Sequence, residues 1–195
     1  GRAISPRYPL VEALTGLLSF AIATGLFYGR FSRPRAYLIF SEHALIAPFK
    51  CGQAVMIRTA PHKNTNLIDA EAKITLGMSV LENGTPVNKF YSLPLQFEKI
   101  GSLTLSWTIV HPIDERSPLF GLSAEDIKAT EGEIIVYIKA FDDLFSNTVA
   151  ISTSYIFSEI IYGAKFKMMY EENETNTKTV LNLDQINSHE KIIIP

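Results

Sequence analysis

The feature that most constrains this chain is an apolar segment near its start, residues 9–35, with the sequence PLVEALTGLLSFAIATGLFYGRFSRPR. No charged residue occurs from Ala13 to Gly29, and a run of about 17 such residues is at the lower end of what crosses a bilayer as a helix. Pro9 suits a first helical turn, and Pro34 cannot continue a helix, so two prolines bracket the segment. The segment therefore predicts a membrane-spanning helix.

The charges that flank this helix predict its orientation. Arg30, Arg33 and Arg35 lie at its far end with no acid among them, and basic residues are enriched on the cytoplasmic side of membrane helices. Arg2 and Arg7 place positive charge on the near side as well and so weigh against this orientation. We expect the rest of the chain, which follows the far end, to be cytoplasmic.

Two sets of residues recur every four positions along the helix, so each set lies on one face. The first set is small: Ala21, Gly25 and Gly29. The second set combines rings with a hydroxyl: Phe20, Thr24 and Tyr28. Small residues allow a second helix to approach closely. The aromatic stripe fits either a pore or a lipid-facing surface, and periodicity alone leaves both interpretations open.

After Arg35 the chain changes character, and residues 36–195 are predicted to form a separate domain. Short alternating segments predict strands at 37–40, 44–49, 53–60, 67–81, 87–97, 102–111, 133–141, 148–157, 165–170 and 177–183. In residues 67–81 the positions from Ile68 to Val80 at every second residue are apolar and predict one buried face. Ser123 and Asp126 approximate a capping box, which predicts a short helix ending near Thr130. So many short strands with few helical signals predict a β-sandwich.

Composition and motifs exclude several function classes. The net charge is −2 with no basic stripe, so nucleic acid is not an expected partner. The single cysteine, Cys51, excludes an internal disulfide framework and fits a reducing compartment. The sequence contains no phosphate-binding glycine loop, nucleophile elbow or paired-cysteine metal site. Its four histidines lie in separate segments: His43, His62, His111 and His189. We therefore expect neither an enzyme nor a metal or organic cofactor.

Residues 106–120, SWTIVHPIDERSPLF, carry the most specific motif. They resemble a signature of the inward-rectifier potassium channels, T-I-V-H-x-I-D-E-x-S-P-L, and the match is closest to the prokaryotic KirBac members. The resemblance extends from Arg30 to about Asp184 and also covers residues 9–29, which resemble the family's second, pore-lining helix. Gly1 falls where the last glycine of the selectivity filter would stand. The chain is thus expected to be a fragment that begins at the outer end of the filter.

The resemblance implies a homotetramer around a potassium pathway, in the bacterial inner membrane, with an immunoglobulin-like β-sandwich from each subunit in the cytoplasm. K⁺ would be the permeant ion. In the membrane helix it implies four pore-lining or gating positions: Gly16 at the hinge, Phe20 in the cavity, Thr24, and Tyr28 at the constriction. Because Phe20 stands where strong rectifiers carry an acid, polyamine block by that route is not expected.

The resemblance also places residues on the cytoplasmic part of the pathway. Asp69 matches an acid that lines it, and Lys139 stands where an acid is common. The constricting loop matches residues 140–148, in which the candidate pathway residues are Phe141, Asp142, Asp143, Leu144 and Phe145.

The three arginines after the helix match positions where the family contacts anionic lipid headgroups. Ordinary topology determination would also explain Arg30, Arg33 and Arg35. For the chain as a whole, the alternative to a channel subunit is a single-pass, membrane-anchored β-sandwich that binds a protein or ligand and conducts nothing.

Overall fold

The computed structural model describes residues 8–31, 37–62, 65–172 and 179–193. The chain divides into two compact units, Gly1–Pro34 and Arg35–Pro195. The first contains one long helix, α1 (Tyr8–Phe31), and the second contains all the strands and the short helix α2 (Ala124–Ala129). Gly1, Arg33 and Arg35 lie outside the described residues.

The second unit is built almost entirely from strands. In chain order these are β1 (Leu38–Phe40), β2 (Ala44–Phe49), β3 (Gly52–Pro61), β4 (Leu67–Glu82), β5 (Thr85–Leu93), β6 (Lys99–Leu103), β7 (Trp107–Ile113), β8 (Gly132–Asp142), β9 (Asn147–Ile156), β10 (Ile160–Tyr162), β11 (Ala164–Phe166), β12 (Tyr170–Glu172), β13 (Thr179–Leu181) and β14 (His189–Lys191).

Ten of these strands form two five-stranded sheets. The first sheet has the order β1-β3-β2-β10, with β7 also paired to β3. The second has the order β5-β4-β8-β9, with β6 also paired to β4. Neighbouring strands are antiparallel except for β2 and β10, which are parallel. The predicted β-sandwich is confirmed.

The two sheets pack face to face over one apolar core. Alternation along each strand directs every second side chain inward. The first sheet contributes Ile46, Val55 and Ile57, and the second contributes Ile74, Leu76 and Ile138, all at most 1% exposed. Burying one such side chain stabilises the fold by about 1.5–3 kcal/mol. This core makes the second unit stable through its own contacts.

The outer faces of the two sheets differ. A second apolar cluster covers the outer face of the first sheet, where Leu45, Ala54 and Met56 pack with Ala164 and Phe166. The outer face of the second sheet carries exposed polar and charged side chains, including Lys73 and Lys139. The second sheet therefore offers the larger polar surface to solvent or to a partner.

Helix α2 begins as its sequence predicts. The Ser123 Oγ accepts a hydrogen bond from the Asp126 N–H at 3.2 Å, and the Asp126 carboxylate accepts one from the Ser123 N–H at 2.9 Å. Thr130 is the C-cap residue. The predicted capping box and the predicted end of the helix are both confirmed.

Several predicted strand boundaries are wrong. The predicted strand 87–97 ends at Leu93, because Pro94 has no backbone N–H with which to continue the pairing to β4. The predicted strand 102–111 combines the end of β6 with the start of β7. The predicted strand 165–170 divides between β11 and β12. Strands β10 and β14, three residues each, carry no alternation long enough to detect.

A β-bulge in β4 changes one predicted face. The register with β8 shifts between Ile68 and Glu71, and Asp69 has a left-handed backbone with φ of 48°. Leu67, and not Ile68, is consequently buried at 0% exposure, while Ile68 is only half-buried. The prediction that Ile68 shares the inner face with Ala70 is wrong because one inserted residue reverses the alternation.

Candidate functional site

Helix α1 is long and apolar enough to cross a membrane. Its 24 residues span about 36 Å, and the stretch Tyr8–Arg30 reaches a mean hydropathy of 1.8 with none of it buried. The exposed fraction is 73% for Phe20 and 75% for Tyr28. A helix that exposes apolar side chains on every face needs lipid or other helices around it.

Both stripes of α1 are exposed along their length. An added Cβ at Gly16, Gly25 or Gly29 would meet nothing within 4 Å, so these positions leave room for another helix. The Thr24 hydroxyl donates to the Phe20 carbonyl oxygen at 2.8 Å, which satisfies its polar group within the helix. The assignment of Phe20, Thr24 and Tyr28 to a pore-facing stripe stays a prediction.

The β4 bulge creates a hollow on the outer face of the second sheet. Its volume is about 460 Å³, and its lining includes three of the predicted pathway residues: Asp69, Lys139 and Phe141. It also includes residues that the sequence analysis did not single out: Glu71, Lys99, Ile100, Gly101, Ala140 and Thr148. Alternation in residues 67–81 could have identified Glu71, whereas Lys99 lies in the part of β6 that no predicted strand covered.

Charge in this hollow is close to balanced. The Glu71 carboxylate forms ion pairs with the Lys99 ammonium at 3.4 Å and the Lys73 ammonium at 3.5 Å. Although burial opposes this effect, the two lysines lower the pKa of Glu71, so it remains ionised at neutral pH. A sheet surface that the resemblance describes as acidic therefore carries both signs of charge here.

Exposure differs among the remaining predicted pathway residues, which lie at the end of β8 and in the loop after it. Leu144 and Phe145 are 62% and 65% exposed. The Asp143 side chain accepts a hydrogen bond from the Asn66 amide at 3.1 Å. Asp142 differs, because it is fully buried and its Oδ1 accepts from the Leu144 N–H at 3.0 Å. In this conformation Asp142 shapes the loop and does not reach the surface.

The motif in residues 106–120 forms a pinned turn. The His111 Nδ1 lies 2.7 Å from the Pro94 carbonyl oxygen, and its Nε2 lies 2.9 Å from the Ser117 Oγ. A carbonyl only accepts, so Nδ1 carries the proton and Nε2 accepts from the Ser117 hydroxyl when the ring is neutral. Burial lowers the pKa of His111. The Asp114 carboxylate pairs with the Arg116 guanidinium at 3.0 Å.

The motif thus acts structurally, by holding the segment between β7 and α2. The Leu119 N–H also donates to the Ser117 Oγ at 3.3 Å, and Leu119 is 2% exposed. Among the described residues, no group of three His, Cys, Asp or Glu side chains is placed to hold a metal. The chemistry available in the described part is electrostatic, provided by the charged hollow and the loop beside it.

Comparison with known proteins places this architecture in a family. The family model described as "Inward rectifier potassium channel C-terminal domain" matches residues 38–195. Inward rectifier potassium channel Kirbac3.1 of Paramagnetospirillum magnetotacticum is 32% identical over 157 residues, which cover 80% of this chain and 53% of that protein.

Two animal proteins are also similar. Inward rectifier potassium channel irk-1 of Caenorhabditis elegans is 26% identical over 91% of this chain and 34% of that protein. ATP-sensitive inward rectifier potassium channel 12 of Mus musculus is 25% identical over 95% of this chain and 44% of that protein. The structure of the sporulation control protein Spo0M from Bacillus subtilis aligns with a TM-score of 0.33 at 9% identity, over 67% of this chain and 50% of that chain.

This chain spans about half or less of the length of these curated relatives. The family match nevertheless covers more than three quarters of the chain, from β1 to its last residue. The motif that carries the resemblance forms the turn pinned by His111 within that match. We conclude that this chain belongs to the inward rectifier potassium channel family and that residues 38–195 are its C-terminal domain.

Proposed function

We propose that this chain is part of a potassium-selective channel subunit, to which it contributes the inner pore helix and the cytoplasmic pore and gating domain. The observation that supports this most is the family match over residues 38–195 together with an apolar helix directly before it. Four copies surround the pathway, because closed cyclic symmetry is the usual solution for such assemblies. K⁺ is the permeant ion, and no further cofactor or nucleic-acid partner is required.

In this proposal the aromatic stripe of α1 faces the ion pathway. Tyr28 forms the constriction, with Thr24 and Phe20 successively further along the helix and Gly16 as the hinge. Four aromatic rings that converge in a narrow pore leave little room for a hydrated ion, and their apolar faces cannot replace its water. The small-residue face is then free to pack against a neighbouring helix.

The charged hollow and the adjoining loop form the cytoplasmic part of the pathway. Asp69, Lys139 and Phe141 already line one surface. Asp143, Leu144 and Phe145 are exposed beside it in the loop, and Asp142 supports that loop from beneath. Because lysines accompany the carboxylates, this surface attracts cations less strongly than a purely acidic one would.

The arginines at the end of the helix bind anionic lipid in the bacterial inner membrane. Arg30 lies in the last turn of α1, where its charge is exposed. A basic residue near an anionic surface contributes about 1 kcal/mol. Replacing Arg30, Arg33 and Arg35 together by glutamine should lower binding to acidic liposomes and change potassium flux. Unchanged lipid binding and flux would reduce these arginines to topology signals.

Potassium flux measures the function itself. The full-length protein in liposomes should release K⁺ faster than empty liposomes, barium should block the release, and anionic lipid should change its rate. Native mass spectrometry in detergent should show four copies. A stable monomer that gives no barium-sensitive flux would contradict the proposal and favour a membrane-anchored binding module.

A further inference from the structure

Three charged side chains form a row across neighbouring strands of the second sheet. The register places Glu71 of β4 opposite Lys99 of β6 on one side and opposite Lys139 of β8 on the other. Directly opposed residues bring their Cβ atoms to about 4.5–5.5 Å. Lys73 lies two residues beyond Glu71 and so on the same face. Three lysine positions therefore flank one carboxylate on this face of the sheet.

That carboxylate cannot neutralise all three lysines. Its two oxygens are already used, Oε1 by Lys73 at 3.5 Å and Oε2 by Lys99 at 3.4 Å. The ammonium group of Lys139 forms no ion pair within the described part of the chain, and Lys139 is exposed. The three lysines thus keep a net positive charge over Glu71, which Asp69 in the same lining offsets only in part.

The bulge opens space next to this charge. Between the pairs Ile68–Phe141 and Glu71–Lys139, two residues of β4, Asp69 and Ala70, oppose the single residue Ala140 of β8. A φ of 48° at Asp69 is uncommon for a residue other than glycine, and bulges of this kind often re-aim side chains beside functional sites. The result is the hollow of about 460 Å³ that Lys99 and Lys139 border from opposite sides.

We propose that this hollow binds a small, soluble, phosphate-bearing anion, with Lys99 and Lys139 as its principal ligands. Lysine binds phosphate as a point charge, and Thr148, which belongs to the same lining, carries a hydroxyl that can donate as well. Glu71 is a positioning residue, since its ion pair holds Lys99 at the rim. Asp69 opposes the anion, because it adds a negative charge to the same wall.

This inference goes beyond the proposed function, because potassium passage requires no anion at this position. It also predicts substitutions with opposite effects. Removing the charge of Lys139 or Lys99 should weaken binding of the anion, whereas removing the charge of Asp69 should strengthen that binding. If the surface bound anions only through net charge, substitution of any exposed lysine would lower the affinity equally.

The test is titration of the full-length protein in detergent with inorganic pyrophosphate by calorimetry. Saturable binding is expected, weakening as salt is raised because the groups are exposed. Lys139→Gln and Lys99→Gln should each weaken binding about two- to fivefold, and Asp69→Asn should strengthen it about threefold, as expected for exposed charge pairs. The matched control is Lys165→Gln, an exposed lysine of β11 on a different sheet, which should leave the affinity unchanged.

Three outcomes would overturn the proposal. The first is no saturable binding at millimolar pyrophosphate. The second is equal weakening by Lys139→Gln and Lys165→Gln, which would indicate a general charge effect. The third concerns the source of the phosphate: if short-chain phosphatidylglycerol binds in a Lys139-dependent way and pyrophosphate does not, the ligand is a lipid headgroup. None of these readouts involves flux, so they are separate from the test of channel function.

Discussion

Helix α1 and the β-sandwich use similar apolar residues in opposite ways. Leu17 and Phe20 in the helix are 70% and 73% exposed, whereas Leu76 and Ile134 in the sandwich are at 0%. The sandwich buries its core side chains between its own two sheets. The helix has no such internal partner and depends on lipid and on other helices. The β-sandwich is therefore stabilised by its own contacts, whereas helix α1 requires a membrane and neighbouring helices.

The largest contrast should come from matched leucine truncations. Leu76→Ala removes a fully buried side chain and should lower the free energy of unfolding of the sandwich by about 3 kcal/mol, through lost burial and the cavity left behind. Leu17→Ala, on the exposed surface of α1, should leave that free energy unchanged. The single tryptophan, Trp107, lies in the sandwich at 7% exposure and reports its unfolding by fluorescence. Equal effects of the two substitutions would remove the distinction between the units.

A smaller loss should follow from breaking the pinned turn. Ser117→Ala removes the hydroxyl that bonds to the His111 Nε2 and accepts from the Leu119 N–H, so about 1–2 kcal/mol of sandwich stability should be lost. The exposed Ser102 is the matched control, and Ser102→Ala should change stability by less than about 0.5 kcal/mol. Denaturant unfolding followed at Trp107 measures both. Identical values would mean that the motif does not stabilise the domain.

The cap of helix α2 should contribute less to the stability of the sandwich than the pinned turn does. Ser123→Ala removes the Oγ that accepts from the Asp126 N–H, leaves the bond from its own backbone N–H to the Asp126 carboxylate, and should cost about 1 kcal/mol. Ser123→Asp keeps an acceptor and should recover most of that loss. The same fluorescence assay measures the change, while the extent of lipid insertion of α1 should not alter. A loss in the alanine variant that aspartate fails to recover would argue against the capping role.

The smallest effect should be a pH dependence confined to the sandwich. Burial lowers the folded-state pKa of His111, although the bond to the Pro94 carbonyl and the charge of Asp114 act in the opposite direction. The unfolded chain therefore binds the proton more readily. The stabilisation is complete above the unfolded pKa of about 6.5 and declines as pH falls from there towards the folded pKa.

Unfolding at pH 7.5 and at pH 5.5 tests this sign. Wild-type stability should be lower at the acid pH, and His111→Gln should show a weaker dependence because it cannot bind the proton. Comparing slopes rather than absolute stabilities keeps the test valid if the substitution itself destabilises the domain. A wild-type protein that gains stability on acidification would contradict the neutral assignment of His111.

The sequence predicted well where a local pattern determines the structure. Charge-free length predicts α1, the capping box predicts α2, and strict alternation predicts most of β4. Prediction from the sequence failed where pairing between strands determines the structure. Nothing local marks the bulge at Asp69, because an aspartate in a polar–apolar alternation is unremarkable until β8 fixes the register. Short strands such as β10 exist only because β2 provides the partner.

The same limit applied to the candidate site. Resemblance indicated Asp69 and Lys139, but it gave no reason to join them to Lys99 or Glu71, which meet only when β6 and β8 pair with β4 from opposite sides. Asp142 shows the converse. The resemblance placed it among the pathway residues, whereas the alternation of β8 directs it inward, opposite Leu67 of β4.

The central claim is that one face of α1 lines a potassium pathway while the opposite face does not. Tyr28→Cys and Leu26→Cys, which lie about 200° apart on a helix, should be made in a Cys51→Ser background, because Cys51 is exposed. A charged thiol reagent applied to full-length protein in liposomes should reduce barium-sensitive K⁺ flux strongly in the Tyr28 variant and little in the Leu26 variant. Equal sensitivity of the two variants, or block at Leu26 alone, would contradict this assignment.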